Sequence, residues 1–114
     1  MDMLIHELEQ MCNRDCAQNA GKLIMRMEPV ILDKTNGALD GRFVWEYLCS
    51  TGNLTKVDRY NDVTPVGRHN GFIRLFRYKS EGKRYPIVVC TPQAQRYLIN
   101  CVCKLLVAYE PEKG

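Results

Sequence analysis

The stretch that decides the fold is Phe72 to Pro92, FIRLFRYKSEGKRYPIVVCTP. Phe72 to Tyr78 and Tyr85 to Cys90 are two strand-like runs. Lys79-Ser80-Glu81-Gly82-Lys83 between them contains the glycine that a short hairpin loop needs. Side chains alternate along a strand, so Ile73 and Leu75 share one face of the first run, and Phe72, Phe76 and Tyr78 the other. Directly afterwards Thr91 is placed to cap a helix. Pro92 takes its first position, where a missing N–H costs nothing. From Tyr97 to Tyr109 that helix is apolar nearly all round. Leu98, Val102, Leu105 and Tyr109 make one stripe, and Ile99, Cys103 and Leu106 a second. The tail, Glu110 to Gly114, is polar and is expected to fray.

Working back toward the N-terminus, residues 53 to 70 are polar and rich in Asn, Asp, Pro and Gly. They read as a loop with at most one short helical turn. Before it, Asp40 is an N-cap candidate for a helix running to about Ser50. Leu39 and Val44 are spaced as a hydrophobic staple, Phe43, Val44, Tyr47 and Leu48 form an apolar face, and Gly52 suits a left-handed C-terminal position. Asn36-Gly37 signals a turn, and Val30-Ile31-Leu32 a short strand. Residues 2 to 27 read as one helix capped by Asp2. Its stripe is Leu4, Leu8, Cys12, Cys16, Ala20, Leu23 and Met27, and Pro29 is expected to end it. The fold class is therefore α+β. It comprises an N-terminal amphipathic helix (residues 1–28) and a winged-helix-like domain (residues 29–114) built as helix, β-hairpin wing and helix.

The chain has 114 residues, 46 % of them apolar and 25 % charged, which suits one globular domain rather than a disordered chain. No apolar run is long enough to cross a membrane, and MDMLIHELEQ has acids where a signal peptide carries bases. These features point to the cytoplasm. In that reducing setting Cys12, Cys16, Cys49, Cys90, Cys101 and Cys103 are expected as free thiols. The net charge of +3 is uneven: residues 66–86 hold six basic residues against Glu81, a local +5 that leaves −2 elsewhere. Such a patch meets nucleic acid or an acidic protein surface.

Chemistry-bearing motifs are weak. His6 lies beside Glu7 and Glu9 on a helix, and His69 sits in a Gly-Asn-rich loop. Cys12 and Cys16 are one helical turn apart, but Cys101 and Cys103 would point about 200° apart on a helix, and there is no CxxC pair. Gly67-Arg68-His69-Asn70-Gly71 leads into a strand, without the helix N-terminus that holds an anion. No enzyme activity, metal or cofactor is expected. The strongest functional lead is the basic hairpin, where Arg74 and Arg77 interleave with Phe72, Phe76 and Tyr78.

Three stretches resemble the C-terminal part of the KilA C-terminal (KilAC) domain of phage antirepressors. They are Phe43 to Leu48 followed by Gly52-Asn53-Leu54; Asn61 to Pro65 followed by Gly71-Phe72-Ile73; and Val89 to Leu98, with Thr91-Pro92 opening the helix. Together they cover about residues 42–99. The resemblance implies a regulatory protein that binds and inactivates a transcription repressor, or another host or phage protein. The family's fuller helix-turn-helix has no room in Val30 to Gly41, which favours protein over DNA as the partner. Leu4, Leu8, Cys12 and Leu23 on the first helix are the expected partner-binding residues. The last helix, with more apolar faces than a small monomer covers, points to a homodimer. On this reading the helices' apolar faces matter more than the hairpin's charge. The alternative is a small winged-helix DNA-binding regulator. Its phosphate contacts would come from Arg68, Arg74, Arg77, Lys79, Lys83 and Arg84.

Overall fold

A computed structural model describes residues 2–109. Asp2's side chain, and with it the expected cap, lies outside the described residues, as does the tail from Glu110 to Gly114. The elements are α1 (Asp2–Glu9), β1 (Gln18–Asn19), α2 (Ala20–Lys34), α3 (Gly41–Ser50), β2 (Leu54–Val57), β3 (Tyr60–Val63), α4 (Pro65–His69), β4 (Phe72–Tyr78), β5 (Arg84–Cys90) and α5 (Pro92–Ala108). The strands form two antiparallel sheets, one in the order β1-β5-β4 and the other β2-β3. The fold class is α+β, as the sequence indicates.

The single N-terminal helix is corrected to two helices joined by a turn. Asn13 breaks the run: its Oδ1 accepts from the N–H groups of Asp15 and Cys16, at 2.9 and 3.1 Å. Such local side-chain bonds compete with the helical ladder. The chain then pairs Gln18 and Asn19 with Cys90 and Val89 before Asn19 caps α2 by accepting from Lys22 N–H. Pro29 does not end a helix, and Val30-Ile31-Leu32 is not a strand. All four lie inside α2. Pro29 stands on the exposed side, while Leu23, Ile24, Met27, Val30 and Ile31 keep a buried stripe running past it. Burying five large side chains, at about 1.5–3 kcal/mol each, outweighs the ~3 kcal/mol penalty of an interior proline. The boundary expected at residues 28 and 29 therefore falls within a continuous helix. One core cluster joins Leu4 and Leu8 of α1, the α2 stripe, Val44 and Leu48 of α3, Phe72, and Leu98, Ile99 and Val102 of α5.

The second half follows the sequence more closely. Asp40 caps α3 through Arg42 N–H, and Arg42's guanidinium, hydrogen-bonded to the same carboxylate, holds the Asp40 carboxyl below its ordinary value. Leu39 and Val44 are both buried, and Gly52 adopts φ 82°. Thr91 caps α5, accepting from Ala94 N–H. The segment 53–70 is more than a loop. It contains the β2-β3 hairpin, turning at Asp58 with φ 56°, and then α4 capped by Thr64. Neither strand alternates polar and apolar residues, and each buries a single side chain, Leu54 or Val63.

Candidate macromolecular interface

The hairpin β4-β5 begins in the core and leaves it. Phe72 is fully buried, and Ile73 to Tyr78 are all exposed. On β5 the order is reversed, from exposed Arg84 through half-buried Tyr85, Pro86 and Ile87 to buried Val88, Val89 and Cys90. The distal half is an arm, and the protein extends 54 Å along its long axis against 30 and 26 Å across. The strand is two-faced as the sequence indicates, with Ile73 and Leu75 on one side and Phe72, Phe76 and Tyr78 on the other. Beyond Phe72 its residues on both faces are exposed, Leu75 and Tyr78 to 51 % and 71 %.

Cations and aromatic rings are ordered on this arm. The guanidinium carbons of Arg74 and Arg84 lie 5.1 and 4.2 Å from the Phe76 ring centre. Lys79 Nζ stands 5.4 Å from the Tyr85 ring centre and 3.2 Å from the Tyr60 hydroxyl. Tyr60 and Tyr85 stack at 5.6 Å, and Arg74 pairs with Asp62 at 2.9 Å. Cation–π contacts of this exposed kind contribute about 0.5–1 kcal/mol each, enough to order side chains rather than to build a core. The β2-β3 hairpin therefore braces the arm along its length, from Asp62 beside Arg74 to Tyr60 beside Tyr85 and Lys79 near the tip. Arg68, at the end of α4, is exposed beside it, as are Arg77 and Lys83 on the arm.

The residues expected to bind a partner are placed elsewhere. Leu4 is 8 % accessible and Leu8 and Leu23 are wholly buried, so they are core residues rather than an exposed stripe. Cys12 is half-buried; burial raises its thiol pKa, opposed by Arg26 and assisted by Glu9. The stripes of α5 are spent in the same way. Leu98, Ile99, Val102 and Leu106 are buried against the chain's own helices, and Val107 is the large apolar side chain of α5 that stays exposed. The dimer inferred from those stripes loses that support. Cys12 and Cys16 do not share a helix face, because α1 ends at Glu9. Among the described residues no three His, Cys, Asp or Glu side chains gather as metal ligands.

Sequence reasoning missed two buried polar nodes. Gln95 is 1 % accessible; its Oε1 accepts from Asn13 N–H at 2.6 Å and Gln18 Nε2 at 2.8 Å, and its Nε2 donates to the carbonyls of Cys16 and Cys90. It ties the α1-β1 turn to the sheet. Asn53, wholly buried, donates to Thr51 Oγ1 and Tyr97 Oη, both at 2.9 Å, and accepts from Asn70 Nδ2 at 2.7 Å. Its carbonyl accepts from Thr64 N–H, and a Cβ on Gly67 would stand 2.1 Å from that oxygen. The three stretches read together in the sequence thus meet at one node, where they hold the β2-β3 hairpin, α4, β4 and α5 together.

No family model, no curated protein and no solved structure shows a match to this chain. No helix among the described residues is long and apolar enough to cross a membrane.

Proposed function

We propose that the protein is an antirepressor-type regulator of phage or prophage origin. It works in the cytoplasm by binding a transcription repressor, or another host or phage protein, and not by catalysis. In this reading the segment from α3 to α5 is a winged-helix-like core with β4-β5 as its wing, and α1 and α2 are additions that complete the core. The observation that carries the proposal is the arm. Ile73, Leu75, Phe76 and Tyr78 are exposed together on one strand, while the apolar stripes of the helices are already buried. Ile73 and Leu75 lie on one face of β4 and Phe76 and Tyr78 on the other, and exposed apolar side chains gathered on one short segment mark an interaction surface. The docking surface is therefore the wing and not the first helix.

Direct DNA binding is the second reading, supported by the ordered cations around Phe76 and Tyr85. Against it stands α3, whose exposed positions are Arg42, Glu46 and Ser50, with Arg42 paired to Asp40 at 3.0 Å. A helix that reads base edges needs free amide and basic side chains there. The test is a repressor–operator gel shift, using the repressor captured from the native host. The purified protein should release the operator and should not itself shift the duplex at physiological salt. A direct shift that weakens steeply with salt, without release of the repressor, would replace this proposal with the DNA-binding one.

A further inference from the structure

β4 is the outer strand of the sheet β1-β5-β4. The register sets which of its backbone groups face outward. Partners run from Phe72 opposite Cys90 to Tyr78 opposite Arg84. At the tip Lys79 N–H donates to Lys83 O at 2.7 Å, and at the base Thr91 N–H donates to Gly71 O at 3.2 Å. Both bonds join odd-numbered partners, and bonded and non-bonded pairs alternate along an antiparallel ladder. Ile73, Leu75 and Arg77 therefore bond to β5, whereas Arg74, Phe76 and Tyr78 turn their N–H and C=O groups to the open side. Pro86, opposite Phe76, fits this phase, since its missing N–H falls on the far edge of β5. That far edge is closed by Pro86 and, further along, by β1 at Val89 and Cys90. β4 carries no proline, and its residues from Ile73 to Tyr78 are exposed. Open edges of this kind recruit strands.

We propose that the open edge of β4 takes up an extended acidic segment of the partner protein as an added strand, an inference that rests on the protein-binding reading above. Charge selects the occupant. The region 66–86 carries six basic residues against one acid, so a second copy presenting the same arm is repelled. Phosphate oxygens accept hydrogen bonds but do not donate them, so a nucleic-acid backbone can engage the outward N–H groups of Arg74, Phe76 and Tyr78 but leaves their carbonyls to water. A peptide strand satisfies donors and acceptors alike, and its acidic side chains meet Arg77 and Lys83.

The experiment uses the full chain, labelled with 15N, and an eight-residue end-capped peptide alternating glutamate and valine. At saturation the amides of Arg74, Phe76 and Tyr78 should exchange at least about tenfold more slowly, while those of Ile73, Leu75 and Arg77, already bonded to β5, should change little. Phe76→Pro removes one outward N–H without breaking the ladder to β5, so its circular dichroism should match wild type and its peptide affinity should fall about tenfold below that of Phe76→Ala, which loses the same ring but keeps the N–H. A peptide alternating lysine and valine should not bind. Unchanged exchange at the three outward amides with millimolar acidic peptide would overturn the proposal. So would protection of the same amides by duplex DNA, or by self-association without peptide. In the operator assay, a Phe76→Pro protein that releases the repressor as well as Phe76→Ala defeats the edge proposal alone. Failure of the wild-type protein to release it defeats the antirepressor reading, whatever the peptide does.

Discussion

The body and the arm of this protein are made of similar residues put to opposite uses. In α5, Leu98, Val102 and Leu106 recur at helical spacing and are buried against α1, α2 and α3. In β4, Leu75 and Phe76 are as apolar as those side chains and, with the amphipathic Tyr78, face solvent. The arm differs in its cluster of basic residues, but apolar content alone does not separate the two regions. A helix of 17 residues can lay a whole stripe on a neighbour, whereas the arm meets only the narrow β2-β3 hairpin, which leaves β4 from Ile73 to Tyr78 exposed. The difference shows that an apolar run in a small domain can be spent inside the molecule or kept for a partner, and topology decides which.

The largest effects are expected in the body. Leu8→Glu would place a charge at a wholly buried site, and several kcal/mol is a large part of the ~5–15 kcal/mol that holds a domain together. The variant should be unfolded by circular dichroism, and Leu8→Ala should lose about 2–5 kcal/mol in urea titration. Gly67→Ala should be comparably damaging, because its methyl group meets the Asn53 carbonyl and that backbone is fixed by Thr64. Calorimetry would show a depressed or absent transition, whereas an unchanged Tm would break the account of the node.

Intermediate effects come from the buried polar and thiol groups. Gln95→Ala leaves the carbonyl of Cys90 and the groups of the α1-β1 turn without their partner and should cost about 2 kcal/mol, with faster exchange at the Asn13 amide. Burial pushes the Cys90 thiol up from 9.0 to about 12. The unfolded chain therefore loses that proton at a lower pH than the folded one. The stability this thiol contributes is complete below pH 9.0 and is lost as pH rises toward 12, with a slope of up to about 1.4 kcal/mol per pH unit. Cys12 and Cys101 are raised in the same direction by burial. Cys90→Ala should flatten the alkaline limb of the urea stability curve. The smallest effects belong to the arm, where Leu75→Ser or Tyr78→Ser should change stability by no more than about 0.5 kcal/mol.

The hairpin, its loop and the start of the helix after it were legible because their signals are local: alternation, a glycine in the loop, Thr91 before Pro92. The break at Asn13 was hidden because it depends on Gln95, which lies 82 residues away in sequence. Pro29 misled for the opposite reason, since a strong local rule yields to a buried stripe on the far side of α2. The β2-β3 hairpin gave no alternation because it braces the arm through Tyr60 and Asp62 rather than through a buried face. The candidate site was half legible. Arg74, Arg77, Lys79 and Arg84 stood out by their charge, but as phosphate contacts of the DNA-binding alternative. The stripe Leu4, Leu8 and Leu23 was misassigned because periodicity shows that a face is apolar without showing what covers it.

The central claim is that the arm, and not the helices, carries the partner contact. It is tested most directly by the triple variant Leu75→Ser, Phe76→Ser, Tyr78→Ser in the repressor–operator release assay, with its folding midpoint measured in parallel. The account expects a midpoint close to wild type and release weakened at least about a hundredfold, since clustered apolar and aromatic anchors dominate interface energy. Release at the wild-type level by the folded triple variant would contradict it.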